Sequence, residues 1–194
     1  STSRPLNVFE ARYIELVDQA LGEDRLVVLV QPRSTKEESP EGKDVALRDT
    51  GCLGRIVHFE ESADDRYLIV LEGVCRVRLV AEIPGDEPYR RFEIDATGFA
   101  GDFQPARGEE HVDRDRFINV MKTYADFAGI EVDWDEVDQT GTADLVNISA
   151  MLAPFGPAER QLLLEAQSLK ERAEALVALA EVEMARSRSG HMLQ

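Results

Sequence analysis

Residues 66–83 read RYLIVLEGVCRVRLVAEI. β-Branched and large apolar side chains dominate this run, which makes it the strongest strand signal in the chain. Gly73 interrupts it, and a lone glycine inside a strand signals a bulge or a sharp bend. Bends of that kind let a sheet curl towards a barrel. Upstream, residues 52–60 are strand-like and residues 62–65 supply a turn. Downstream, Pro84, Gly85 and Pro88 mark the next turn. Residues 89–99 then read as another strand, in which Phe92, Ile94 and Ala96 alternate with Arg91, Glu93 and Asp95 and leave one wet face.

Moving outward, residues 25–31 hold the unbroken apolar run Leu26-Val27-Val28-Leu29-Val30, a buried strand ended by Pro32. Residues 33–50 are polar, carry Pro40 and Gly42, and read as a long mobile loop. A helix is expected over residues 9–21, with Tyr13, Ile14, Val17 and Leu21 on one face, Asn7 as its cap and Gly22 as its stop. Residues 1–100 thus form a β-rich region with one early helix. Residues 101–111 read as a linker and residues 112–188 as helices only.

In the helical part, Asp113 is the expected N-cap of a helix whose Phe117, Val120, Met121, Tyr124, Phe127 and Ala128 follow core spacing. A short helical piece lies near residues 134–137. Thr142 is expected to cap a helix that Pro154 stops, and Gly156-Pro157 opens another. Ser168 and Glu171 make a capping box, followed by a stripe of Leu169, Ala173, Leu176, Val177, Ala180 and Met184. The residues after Ala185 are small and basic and read as a frayed tail. The fold class is α+β, a curled sheet followed by a helical bundle.

The 194 residues carry 38 acidic and 22 basic side chains, a net charge of −16, and 43% hydrophobic residues. That apolar content suits a core built without disulfides or metals. Nucleic acids and anionic membranes repel such a surface, so neither is an expected partner. The charge itself favours solubility, or attraction to basic polypeptide segments. No apolar run reaches the roughly 20 residues that cross a bilayer. The first residues lack the apolar core of a signal peptide, so a cytoplasmic location is expected.

Catalytic chemistry needs a nucleophile beside an activating base, and no such pairing is visible. Cys52 and Cys75 lie in strand-like runs, far from any helix N-terminus that would lower a thiol pKa. His58 sits within a strand, His111 in the linker and His191 in the tail. The cysteines and histidines show no zinc spacing, and the acidic pairs flank a turn without the alternation of a calcium loop. Gly42-Lys43 lacks the glycine spacing of a phosphate-binding loop. No cofactor, metal or catalytic residue is expected.

Several segments carry a family resemblance. Pro5-Leu6-Asn7-Val8-Phe9-Glu10-Ala11-Arg12-Tyr13 resembles the Pro-Leu-x-Ile-Phe-Glu-x-Arg-Tyr segment of Lon N-terminal, substrate-binding domains. Gly51-Cys52-Leu53-Gly54-Arg55-Ile56 is similar to the family's Gly-x-x-Gly-x-Ile strand start, and Gly73-Val74-Cys75-Arg76-Val77 to its Gly-x-x-Arg-hydrophobic strand. Leu152-Ala153-Pro154, the run from Glu159 to Glu165, and Glu171-Arg172 resemble its helical part. The resemblance implies a PUA-like twisted β pseudo-barrel followed by a helical bundle. It also implies a non-catalytic module that recognises polypeptide, either unfolded protein or a specific protein partner. An adaptor in protein quality control is the expected role. The alternative is a piece of an ATP-dependent Lon protease, or a peptidase in name with no catalytic residues here. The family's opening strand of Pro-Leu-Phe-Pro-Leu type has no match ahead of Ser1, which would leave a sheet edge unprotected. None of Lys36, Lys43, Lys122 and Lys170 has the context of a Ser-Lys dyad. A stand-alone bacterial protein with this domain is expected.

The candidate partner-binding residues are Phe9, Glu10, Arg12, Tyr13, Arg55, Arg76 and Arg78. Phe9 and Tyr13 either pack the helix on the sheet while Glu10 and Arg12 pin a turn, or stand at the rim of a groove. Arg76 and Arg78 share a strand face with Val74 and Val80. They either hold a peptide's carboxylate or carbonyls, or form salt bridges to Glu72 or Glu93.

Overall fold

The computed structural model describes residues 3–33, 45–62, 66–104 and 106–191, with side chains described as far as residue 187. The chain divides into two compact units, Ser1–Gln104 and Pro105–Gln194. It is an α+β protein with an antiparallel sheet in the first unit and helices through the second.

The first unit is organised on β4 (Arg66–Ile83). Around it lie β1 (Ser3–Val8), β2 (Leu26–Leu29), β3 (Thr50–Ser62) and β5 (Arg91–Asp95). Among the described residues these make one five-stranded sheet of order β1-β4-β3-β2, with β5 also paired to β4. β3 runs along one edge of β4, from Ser62 opposite Arg66 to Thr50 opposite Arg78. The other edge is shared. β1 takes it from Tyr67 to Glu72 and β5 from Arg78 to Ile83.

The expected irregularity at Gly73 is present: Leu53 pairs with Cys75 and Gly54 with Gly73, so Val74 is an extra residue on β4. Two further slips place Val57 on β3 and Val80 on β4 outside the register. Each extra residue raises local twist and bends the strand.

Helix α1 (Ala11–Gly22) packs on the sheet through Val17 and Ala20, against Val8, Val27, Ile56, Ile69 and Leu71. It starts two residues later than its periodicity suggests, because Asn7 belongs to β1, opposite Leu68. Glu10, not Asn7, is its N-cap. The strand expected over residues 89–99 stops at Asp95. There the carboxylate accepts from the Thr97 N–H at 2.8 Å and from its hydroxyl at 2.7 Å, and the chain turns into a 3₁₀ segment, Thr97–Phe103. Those two bonds, with help from the Arg78 charge, hold the Asp95 carboxyl below its ordinary range.

The middle of the segment expected as a loop, residues 34–44, and the turn expected at residues 63–65 lie outside the described residues. The loop's stem is closed by backbone bonds from Arg33 N to Ala46 O and from Arg48 N to Gln31 O.

In the second unit, α2 (Arg114–Ala128) begins at Asp113, whose side chain accepts from Arg116 N as expected. α3 (Trp134–Gln139) is capped by Asp133, and α5 (Pro157–Glu165) opens on its proline. α4 (Thr142–Leu152) departs from the sequence reading. The Thr142 hydroxyl accepts from Arg114, and the orphan N–H of Ala143 is taken by Glu109, which lies far back in the chain. α6 (Leu169–His191) starts at the capping box, with Glu171 N donating to Ser168 and the Glu171 carboxylate reaching Gln167 N. Its backbone remains helical through His191, so the expected fraying from Ala185 is corrected. The 3.6-residue ladder tolerates the serines and arginines there.

The α6 stripe is buried, with Ala173, Leu176, Val177, Ala180 and Met184 against Phe117, Tyr124, Val146, Phe155 and Leu163. On α2, Ala125 takes the core position that the spacing assigned to Phe127, which is 43% exposed. Tyr124 is buried and its hydroxyl donates to Glu183 at 2.7 Å.

Leu176 is fully enclosed, so Leu176→Ala should cost ~2–5 kcal/mol in urea unfolding, whereas Leu162→Ala, at an exposed position, should cost under ~1 kcal/mol. Burial and then the Glu183 carboxylate raise the Tyr124 pKa above its ordinary 10.0. The neutral phenol is the stabilised form. Its contribution is full below the ordinary value and is lost as pH rises above 10.0 towards the raised folded value. Tyr124→Phe should therefore lower stability at pH 7 and flatten its decline above pH 10.0, measured as urea midpoints against pH.

Candidate polypeptide-binding site

The segment from Phe9 to Tyr13 joins β1 to α1. Glu10 has extended backbone angles, and its carbonyl accepts the first helical N–H groups, from Tyr13 at 2.9 Å and Ile14 at 3.0 Å. Its carboxylate turns to Arg12, with Nη2 at 2.6 Å and Nε at 2.9 Å. The Arg12 guanidinium then lies 4.7 Å over the Tyr13 ring. Ion pair and cation–π contact together fix the turn. The sequence reading that Glu10 and Arg12 pin a turn describes this geometry. Its companion, that Phe9 and Tyr13 pack the helix on the sheet, does not. Phe9 is 65% exposed and Tyr13 41%.

The register extends this exposed end. Val8 lies opposite Tyr67, so Phe9 emerges beside that position. Tyr67 meets Phe59 edge-to-face at 4.9 Å, and its hydroxyl donates to Asp18 of α1 at 2.9 Å. Phe59 is itself partly exposed. Neither Phe59 nor Tyr67 was singled out from the sequence. The available signal is one aromatic on each arm of the β3–β4 hairpin, and the register, with Phe59 opposite Ile69 and Tyr67 opposite Glu61, sets the two diagonally across the strands.

The three arginines stand elsewhere. Arg55 donates to the Asp24 carbonyl at 3.2 Å and ties the end of α1 to β3. Arg76 lies in the interval of β4 between β1 and β5. Asp102 accepts there from the Arg76 backbone N–H at 2.9 Å and from its guanidinium at 2.9 and 2.7 Å, and the cation also covers Phe99. One carboxylate closes a gap in the ladder and neutralises a charge. The pairing anticipated to Glu72 or Glu93 goes to Asp102 because the 3₁₀ segment folds over that gap. Arg78 is exposed, with Asp95 opposite it on β5. From Tyr67 to Arg76 the strand advances roughly 30 Å, so Arg76 and Arg78 do not join the aromatic cluster.

Cys75 is buried, and desolvation followed by the nearby Asp102 charge pushes its thiol up, away from the nucleophilic thiolate. His58 and His111 are exposed beside Glu60 and Glu110. Among the described residues no group of His, Cys, Asp and Glu is placed to hold a metal ion, and no helix is long and apolar enough to cross a membrane.

The Arg76–Asp102 pair is mostly enclosed, with side-chain exposures of 13% and 21%. Asp102→Ala should lower stability by ~1–3 kcal/mol, since it orphans a backbone donor and a cation. Glu10→Ala removes a more exposed pair and should cost under ~1 kcal/mol. Urea midpoints of the two variants decide the order.

Comparison with known proteins identifies the family and the fold. The model of the family described as the ATP-dependent protease La (LON) substrate-binding domain matches residues 1–181. Lon protease 2 of Myxococcus xanthus is 33% identical over 92 residues, which is 47% of this chain and 11% of that protein. Lon protease 1 of Hydrogenovibrio crunogenus is 24% identical over 189 residues, 93% of this chain and 22% of that protein. The chain thus spans no more than about a fifth of the length of these relatives. The N-terminal domain of Mycobacterium avium complex Lon protease has a TM-score of 0.62 at 15% identity, covering 93% of this chain and 90% of that one. A Lon N-terminal domain protein from Xanthomonas campestris has a TM-score of 0.60 at 18% identity, covering 91% and 89%. The likeness to these two structures is one of fold.

Proposed function

This chain belongs to the Lon substrate-binding domain family, and from that premise we propose that it is a polypeptide-recognition module without catalysis of its own. The proposal includes a PUA-like pseudo-barrel for the first unit, a helical bundle for the second and an adaptor role in protein quality control. One observation carries it: Phe9 stands 65% exposed on a turn held by the Glu10–Arg12 ion pair. An aromatic side chain presented by a fixed backbone loses little entropy on binding, and such groups anchor protein interfaces. Phe9, Tyr13, Phe59 and Tyr67 offer apolar faces to an extended, unfolded segment. Glu10 and Arg12 act as positioning residues, and Arg55, Arg76 and Arg78 hold the sheet that carries them. Polypeptide suits this surface better than nucleic acid, because the net charge of −16 repels phosphates.

The test is binding of fluorescently labelled, unfolded carboxymethylated casein, read by anisotropy. The wild-type chain should bind, and the double variant Phe9→Ser, Tyr13→Ser should weaken binding roughly tenfold or more. Unfolding midpoints should stay near wild type, because both side chains are exposed. An affinity unchanged by the double variant, or no binding by the wild type, would falsify the assignment.

A further inference from the structure

The end of α2, the connection that follows and α3 form a surface that the first unit's site does not use. Every residue from 126 through 133 is exposed. Three of them are large and apolar: Phe127 at 43%, Ile130 at 41% and Val132 at 36%. Interleaved with them and continuing through α3 are Asp126, Glu131, Asp133, Asp135, Glu136 and Asp138, and residues 126–138 contain no basic side chain.

Part of this acidity serves the helix. Asp133 accepts from the N–H groups of Asp135 and Glu136, and acids in the first turn of α3 suit its dipole. The rest does not. Asp126 is in the last turn of α2 and Asp138 in that of α3, where the helix dipole disfavours negative charge. Glu131 lies in the connection between them. Gly129, at φ 66°, ends α2 in the left-handed conformation and leads into exposed Ile130. Local stability therefore accounts neither for Phe127 and Val132 in water nor for Asp126 and Asp138 at helix ends that disfavour negative charge.

We propose that residues 126–138 dock a cationic amphipathic polypeptide segment, in which lysine or arginine alternates with apolar side chains. Apolar side chains of the segment cover Phe127, Ile130 and Val132, and its cations meet Asp126, Glu131 and Asp138. Charge selects the occupant. A second copy of this chain carries the same net −16 and is repelled, as is any polyanion. One cation of the chain itself already lies beside this surface, the Lys122 ammonium 5.0 Å over the Trp134 ring. This surface is independent of the site proposed on the first unit, and either can fail without the other.

Trp134 is the chain's single tryptophan, so its emission reports binding. The full chain is titrated with a synthetic peptide of alternating lysine and leucine, and with a glutamate–leucine peptide of equal length. Anisotropy of labelled peptide provides a second readout. The lysine peptide should bind and shift Trp134 emission, more weakly as salt rises. The double variants Glu131→Lys, Asp138→Lys and Phe127→Ser, Ile130→Ser should each raise Kd roughly tenfold or more. Unchanged affinity in the Glu131, Asp138 variant overturns the proposal. So does equal binding of the glutamate peptide, self-association that competes with the lysine peptide, or absence of binding in both readouts.

Discussion

The first unit depends on how β4 bends. A strand running from Arg66 to Ile83 is too long to lie flat in a small sheet. The extra residues Val74 and Val80 add twist, and Gly73 stands at the first slip. Bending lets one edge serve two partners, β1 near Tyr67 and β5 near Ile83. The interval between them would leave a ladder donor without a strand partner. Asp102 meets the Arg76 N–H there and pairs its guanidinium as well. A backbone irregularity thus fixes where the following 3₁₀ segment must lie.

The same strand positions the exposed aromatic end. β1 finishes opposite Tyr67, and the chain turns into α1 through an ion pair that needs only neighbouring residues. Because Glu10 and Arg12 satisfy each other, the turn is held without burying Phe9 or Tyr13. The energetics of the turn and the exposure of its aromatics are consequently separable, which suits a surface that binds rather than packs.

In the second unit, arginines connect the helices through carbonyls near helix ends. Arg172 donates to the Leu163 carbonyl of α5 and to Asn147 of α4. Arg114 reaches the Val137 carbonyl of α3 and the Thr142 hydroxyl of α4. Helix ends leave carbonyls without intrahelical partners, and a guanidinium fork can serve two acceptors at once. With these ties on the rim, the apolar centre around Leu176 and Val146 contains few polar groups.

What the sequence determined by itself was local. Strand and helix periodicity located β4, α2 and α6, and short-range chemistry named Asp113, Pro157 and the Ser168–Glu171 box as helix starts. The Glu10–Arg12 pin was legible for the same reason, since its partners are two residues apart. The tertiary structure decided whatever needed a distant partner. Thr142 is not a cap because Arg114 claims it and Glu109 supplies the cap instead. Arg76 answers to Asp102, beyond β5, and not to a strand neighbour. Phe59 and Tyr67 become one cluster only through register. Phe127 is exposed although its spacing fits the core, because α6 and Phe155 fill the face of α2 centred on Tyr124 and Ala125. Periodicity marks a face of a helix, but the width of that face is set by the neighbours that cover it.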